Sequence, residues 1–341
     1  MDSYKNGLPF PARNSPAWKF RLPGMRNPLL FQKAEISAAI SDEFDVLILV
    51  GDFHRISSWV AGILARLRGK KVIYWSHGIS KGKRFRRIKW QFRKNLIRLA
   101  NAVLLYGERE YNEYVKRGVK MDKVFMARNA LDTRLSRAIR KAITQRDLEQ
   151  FKEDKSLRSQ HVLIYSGRLL AYKRVNEIIS AMPTIRQHVP DAILVIIGDG
   201  PEAPKLKSQI EQLGLSSVVQ MPGAIFDEET LARYYLSADL AVCPGKVGLM
   251  VNHAFVYGVP VVTSDKPWYH GPEVAMIQNG VTGMFFRHGD IDSLAKCVVG
   301  LLKDKSKLAD MRKACMKLID DVYNERTMAM AFDKAVEYAL K

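Results

Sequence analysis

Residues 161–202 read HVLIYSGRLLAYKRVNEIISAMPTIRQHVPDAILVIIGDGPE. HVLIYSG (161–167) and AILVIIG (192–198) are short and almost wholly apolar, and each ends in glycine. That pattern marks strands buried on both faces. Between them Val175–Gln187 carries apolar residues at helical spacing. Strand, helix and strand in this order make a crossover within a parallel sheet.

The same rhythm extends in both directions. Toward the C-terminus come strands at VVQMPG (218–223), LAVCP (240–244), VPVVTS (259–264) and a short GMFF (283–286). The accompanying helices fall at Pro204–Leu213, Asp227–Ala238, Met250–Tyr257, Ile291–Leu302 and Ser306–Val322. Toward the N-terminus the strands are VLILV (46–50), KVIYW (71–75), AVLLY (102–106) and KVFMA (123–127). Their helices are Ser57–Arg68, Arg86–Leu99 and Arg109–Arg117. Residues 1–29 show no period and read as an irregular arm, while the polar helical stretch 133–158 reads as the approach to a linker near 150–160. The expectation is an α/β protein of two parallel-sheet domains, 1–150 and 160–322, with a final helix over 323–341. Ligands of such sheets bind beyond the carboxyl ends of the strands, which places the expected site in a cleft between the domains.

A length of 341 residues suits two domains, and 47 % hydrophobic against 26 % charged residues excludes wholesale disorder. The three cysteines, Cys243, Cys297 and Cys315, match neither a zinc site nor a disulfide framework, as in a reducing cytosol. No run of about 18 uncharged apolar residues occurs, and the first 20 residues lack the apolar centre of a signal peptide.

The formal charge of +19 is lopsided. Residues 1–150 hold 31 Lys+Arg against 13 Asp+Glu, a net of +18, while residues 151–341 are nearly balanced. Between Asp52 and Glu108 there are 14 basic residues and no acidic one. Within that stretch KGKRFRRIKWQFRKNLIR (81–98) sets Lys81, Lys83, Arg84, Arg86, Arg87, Lys89, Arg93 and Lys94 beside Phe85, Ile88, Phe92, Leu96 and Ile97. The apolar residues keep to one helical stripe, so the segment reads as a basic amphipathic helix for an anionic membrane surface. Nucleic-acid phosphates would reward the same charges but need no apolar stripe, which favours lipid.

Four loops carry chemistry. YSGRLLAYKR (165–174) delivers Arg168 and Lys173 from a strand end, where a diphosphate would meet two cations. IIGDGPE (196–202) is a tight Gly-Asp-Gly turn into a helix, a weak signal by itself. PGKVGLMVNHAFVYGVPVV (244–262) brings Gly248 and free amides to a helix start, with His253 about one turn in. YHGPE (269–273) adds Glu273 ahead of QNGVTGMFF.

The series SGR…K, GDGPE, the Gly-rich strand–helix turn, GVPVV, GPE and NGVTG resembles, over roughly residues 160–300, the nucleotide-sugar domain of retaining GT-B glycosyltransferases of family four. YWSHGI (74–79), LLYGERE (104–110) and RNALD (128–132) look like the acceptor domain of the same family, in a branch that assembles bacterial surface polysaccharide or glycolipid. The resemblance implies two Rossmann-like domains facing across a cleft, the last helix crossing back onto the first. It implies a metal-independent hexosyltransferase with no cofactor, a UDP- or GDP-linked donor and a lipid-linked or saccharide acceptor. The expected place is cytoplasmic, on the inner face of the cell membrane. By position, Arg168 and Lys173 would neutralise the leaving diphosphate. His77 would face the donor sugar. Gly167, Gly198, the amides of Val247, Gly248 and Leu249, and the side chains of His253 and Glu273 would hold the donor. The family's pair of glutamates eight apart falls on Gly245 and His253, neither acidic, although a histidine can still bond a ribose hydroxyl. The strand and glycine-rich loop that usually open the acceptor domain are not found before VLILV. Two other readings remain open: a glycosyltransferase acting on nucleic acid, and a binding subunit on the same scaffold.

Overall fold

The structure is a computed structural model that describes residues 15–21, 28–52, 54–76, 86–157, 161–266 and 269–341, residues 86–89 by their helix alone. The chain divides into two compact units, Met1–Ala127 with Ala329–Lys341, and Arg128–Met328.

In the first unit β1 (Trp18–Phe20) pairs antiparallel with β2 (Leu29–Phe31), and α1 (Lys33–Ile40) follows. β1 thus puts a short strand inside the segment read as an irregular arm. Then β3 (Val46–Val50), α2 (Ile56–Leu67), β4 (Lys71–Ser76), α3 (Arg86–Leu99), β5 (Ala102–Leu105), α4 (Glu108–Val115) and β6 (Val124–Met126) alternate. The four strands are parallel and lie in sequence order. Right-handed crossovers that always step the same way lay their helices on one face. On that face Leu47, Leu49, Val72, Tyr74, Val103 and Leu105 form the core with Ala61, Ala65, Leu96 and Ile97. The opposite face receives the end of α13 (Glu325–Leu340), whose Phe332 stands edge-on to Trp75 and whose Tyr338 does the same to Phe125. Ile48, on edge strand β3, stays 44 % exposed.

This packing changes the reading of the basic helix. Leu96 and Ile97 are buried, each worth about 1.5–3 kcal/mol to the fold, and Trp90 stands edge-on to Tyr114. Arg93 points inward and donates to the Ser76 hydroxyl at 3.2 Å. The end of the stripe that was read as a membrane face therefore serves the core of its own unit. Lys81, Lys83, Arg84 and Phe85 lie outside the described residues, as do the side chains of Arg86, Arg87, Ile88 and Lys89.

The second unit begins earlier than its sequence suggests. α5 (Arg134–Ala142) and α6 (Gln145–Asp154), read as a linker approach, belong to it. Ser136 donates to Glu228 at 2.6 Å, Arg137 pairs with Glu325 at 2.5 Å, Arg140 reaches the Val256 carbonyl, and Phe151 is buried edge-on to Tyr234. The division therefore falls at Ala127/Arg128 rather than near 150–160, and RNALD (128–132) lies in the second unit.

There follow β7 (His161–Ser166), α7 (Val175–His188), β8 (Ala192–Ile197), α8 (Ala203–Gln212), β9 (Val219–Gly223), α9 (Glu228–Ser237), β10 (Leu240–Cys243), α10 (Met250–Val256), β11 (Val261–Ser264), β12 (Gly283–Phe286), α11 (Ile291–Lys303) and α12 (Lys305–Asp321). The six strands are parallel in the order β12-β11-β10-β7-β8-β9. Every residue of β8, β10 and β11 is buried, as strands covered by helices on both faces require. From β7 the chain winds first through β8 and β9, then reappears at β10 on the other side. The switch point therefore lies between β7 and β10, and there the loops at the carboxyl ends part to form a crevice.

Candidate functional site

Each strand of the switch region leaves the sheet through a loop set by close backbone packing. Gly167 (φ 141°) and Gly198 (φ 146°) follow β7 and β8, and a Cβ on Gly198 would lie 1.9 Å from the Gly167 carbonyl oxygen. No other residue fits there. The two loops are stitched by Gly167 N–H to Ile197 O (2.9 Å) and Leu169 N–H to Asp199 O (2.9 Å). Beyond Leu170 the chain makes a 3-10 turn at Ala171–Lys173, and Arg174 takes a left-handed conformation (φ 54°) before α7 begins.

That turn is fastened to the loop between β10 and α10. Gly245 N–H donates to Lys173 O at 3.0 Å, and Lys246 N–H to Tyr172 O at 3.1 Å. In return the Lys173 ammonium donates to Lys246 O at 2.6 Å. A Cβ on Gly245 would sit 2.3 Å from the Lys173 carbonyl carbon and from Tyr172 O. Where the family carries a carboxylate, this chain leaves no space for any side chain.

The crevice is an open cavity of about 470 Å³. Its walls come from four strand ends: Ser166–Arg168 after β7, Ile197–Asp199 after β8, Ala224–Phe226 after β9, and Leu249, Met250 and His253 at the start of α10. Arg168 is exposed on its wall. Phe226 is 94 % exposed at its rim.

His253 lies face to face with Tyr235, ring centres 6.4 Å apart, and its Nδ1 is 3.8 Å from Glu228 Oε1. Burial lowers its pKa, and the Glu228 charge opposes that shift only in part. Glu228 is held by the Ser136 hydroxyl (2.6 Å) and the Tyr257 hydroxyl (2.7 Å). Sequence reading missed both Glu228 and Phe226. DEETL (227–231) reads only as a helix start, where Asp227 caps Thr230, and the approach to His253 arises across the fold.

The structure thus brings Gly167, Arg168, Gly198, Leu249 and His253 to one cavity. Lys173 is on the adjoining turn rather than the cavity wall, with its ammonium 3.9 Å from where a Gly248 Cβ would be. Val247 departs from expectation. Its amide donates to His270 Nδ1 at 3.2 Å, while His270 Nε2 donates to Ser264 O at 2.8 Å, so the ring is neutral and the amide is already used. Glu273 also departs, since it is not on the cavity wall. It is buried, accepts from Asn129 Nδ2 at 2.5 Å, and crowds the Cβ position of Gly271. Asn129 belongs to RNALD, so that motif braces a loop of its own unit. His77 lies outside the described residues. Among the described residues no three His, Cys, Asp or Glu gather as metal ligands, and no helix is long and apolar enough to cross a membrane.

Residues 145–317, half of the chain, match the family model for glycosyl transferases group 1. The chain belongs to that family. Among curated relatives, a GDP-mannose-dependent α-(1-6)-phosphatidylinositol monomannoside mannosyltransferase of Mycobacterium tuberculosis is 24 % identical over 54 % of this chain and 51 % of its own length. A glycogen synthase of the same species is 30 % identical over 50 % of this chain and 40 % of its own. The chain spans about half the length of the curated relatives it matches. Among solved structures, Anabaena Alr3699/HepE in complex with UDP superposes with a TM-score of 0.71 at 19 % identity, covering 89 % of this chain and 81 % of that one. A Rickettsia africae glycosyltransferase does so at 0.71 and 14 %, covering 91 % and 80 %. With these structures the chain shares its fold, α/β with two Rossmann-like parallel-sheet domains of the GT-B type.

Proposed function

We propose that the chain is a glycosyltransferase that takes a hexose from a nucleoside-diphosphate sugar, UDP- or GDP-linked, and passes it to a lipid-linked or saccharide acceptor in surface glycolipid or polysaccharide assembly. The observation that carries this reading is the cavity at the switch point, with a cation on its wall, a second on the adjoining turn and an aromatic ring at its rim. The relatives named above are a phosphatidylinositol monomannoside mannosyltransferase and a glycogen synthase, and the Anabaena neighbour was solved with UDP.

In this reading the diphosphate lies between Arg168 and Lys173, whose fixed charges stabilise the negative charge that grows as the sugar leaves. No metal ion is needed where two cations stand ready. The Phe226 ring offers a face for the base, and His253 Nε2 bonds a ribose hydroxyl. Gly245 presents only backbone to the sugar, so the amides of Gly248 and Leu249 take over the contact a carboxylate would make. We assign His77 to the donor sugar, and transfer retains configuration. The work is done at the inner membrane face.

Purified protein incubated with UDP-glucose, UDP-galactose, UDP-N-acetylglucosamine and GDP-mannose tests it by release of UDP or GDP, with and without a lipid extract as acceptor source. Turnover of one donor supports the reading. Binding without release would favour a non-catalytic binding subunit, which the closed Gly245 position makes a specific alternative. No binding at all would end both.

A further inference from the structure

We propose that the solvent face of α2 docks onto an anionic lipid bilayer. The helix is built the wrong way out for a water-facing element. Its buried side is made of Ser57, Ser58, Ala61, Gly62 and Ala65. Gly62 is pressed so close to Tyr74 that an added Cβ would lie 2.0 Å from the ring hydroxyl. Leu64 and Trp59 pack partly against the core, but four large aliphatics face outward: Ile56, Val60, Ile63 and Leu67, spaced four, three and four, so they share one stripe. Ile63 is 49 % and Leu67 79 % exposed.

The apolar surface does not stop at α2. Trp59 meets Phe92 of α3 edge-on at 5.5 Å, and Phe92 remains 43 % exposed. Exposed cations stand on both helices, Arg66 on α2 and Lys94 and Arg98 on α3. Between Asp52 and Glu108 the sequence has 14 basic residues and no acidic one; the carboxylates that reach the ends of α2 come from elsewhere, Glu35 to Arg55 and Asp42 to Arg68.

Charge decides the occupant. A second copy would cover the aliphatics but bring two halves of net +18 together, which repel. A nucleic acid would neutralise the cations and leave four aliphatics in water. An anionic bilayer meets both needs, hydrocarbon for the stripe and headgroups for the cations. The segment 81–98 thus contributes charge and Phe92, while α2 contributes the apolar contact. None of this depends on the transferase reading.

The test is cosedimentation of the full chain with vesicles of phosphatidylcholine alone, or with a one-third share of phosphatidylglycerol. Wild type should bind the anionic vesicles and not the neutral ones, and release them as salt is raised. Ile63→Asp with Leu67→Asp should weaken binding by roughly tenfold or more, as should Lys94→Glu with Arg98→Glu. Circular dichroism confirms that each variant folds, and Leu67→Gln replaces the double variant if it does not. Failure of wild type to bind would overturn the proposal, as would undiminished binding by the α2 variant. So would a wild-type dimer that the α2 variant dissolves without any vesicle binding, or tighter binding to duplex DNA than to anionic vesicles.

Discussion

Replacing Gly245 by alanine adds one methyl group, and the structure dictates where the damage goes. The new carbon would lie 2.3 Å from the Lys173 carbonyl carbon and from Tyr172 O, and 2.4 Å from Lys173 O. All three are backbone atoms, so no side chain can rotate away. Relief requires the Tyr172–Lys173 turn to withdraw by about 1 Å from the loop after β10, since carbon contacts settle near 3.5 Å. Withdrawal breaks the bonds from Gly245 N–H to Lys173 O and from Lys246 N–H to Tyr172 O, each worth about 1 kcal/mol. Residual overpacking adds about 1–3 kcal/mol. A loss near 3–5 kcal/mol in a unit of this size lowers the melting temperature by roughly 6–20 °C. Lys173 moves with its turn, so nucleotide affinity should fall as well. Gly248→Ala is the matched control, because its added methyl finds Lys173 Nζ at an ordinary 3.9 Å. Differential scanning fluorimetry of the three proteins decides. If Gly245→Ala melts with wild type and binds nucleotide equally well, the zipped turn is wrong. Introducing the family's glutamate at 245 should then be harmless too; the structure says it is harmful.

Phe226→Ala should leave the melting temperature unchanged, as the ring is 94 % exposed, yet weaken nucleotide binding by about 1–3 kcal/mol through lost base stacking. The depressed pKa of His253 has a definite pH signature. The unfolded chain binds this proton near its ordinary 6.5 and the folded chain only at lower pH, so its contribution is complete above 6.5 and is lost as pH falls through the folded value. His253→Gln should flatten that part of a melting curve series between pH 8 and 5, leaving the slope that comes from His288, whose pKa is also lowered. An excised fragment 128–328 should fold cooperatively, whereas 160–328 should melt far lower for want of Phe151 and of the Arg137 and Arg140 ion pairs, about 3–5 kcal/mol for the phenylalanine alone. Equal melting of the two fragments would restore the boundary near 150–160.

The strands were legible because a buried strand needs unbroken apolar residues, and VLILV, HVLIYS and AILVII have little other use. The Gly-Asp-Gly turn was legible for a related reason, since only glycine permits Gly198 to touch Gly167. What stayed hidden depends on contacts far apart in sequence. α5 looks like a linker because its anchors are polar: Arg137 to Glu325 and Arg140 to Asp320 join residues 180 or more apart and leave no local pattern. The stripe of α3 shows which side of the helix is apolar, yet its period is the same whether Leu96 meets lipid or Val72. Gly245 reads as a missing carboxylate until the turn at Lys173 shows that the position is closed. Glu228 approaches His253 only because side chains of α9 and α10 meet, Tyr235 against His253 and Tyr257, and Val247 yields its amide to a histidine 23 residues on.

The central claim is that a diphosphate rests at the carboxyl ends of these strands between Arg168 and Lys173. Titration calorimetry of UDP and GDP against wild type, Arg168→Ala and Lys173→Ala tests it most directly. Wild type should bind one of the two nucleotides, and each variant should lose roughly tenfold or more in affinity, Arg168→Ala melting as wild type does and Lys173→Ala a little lower for its lost bond to Lys246 O. Equal affinity for the same nucleotide in all three proteins would contradict the claim.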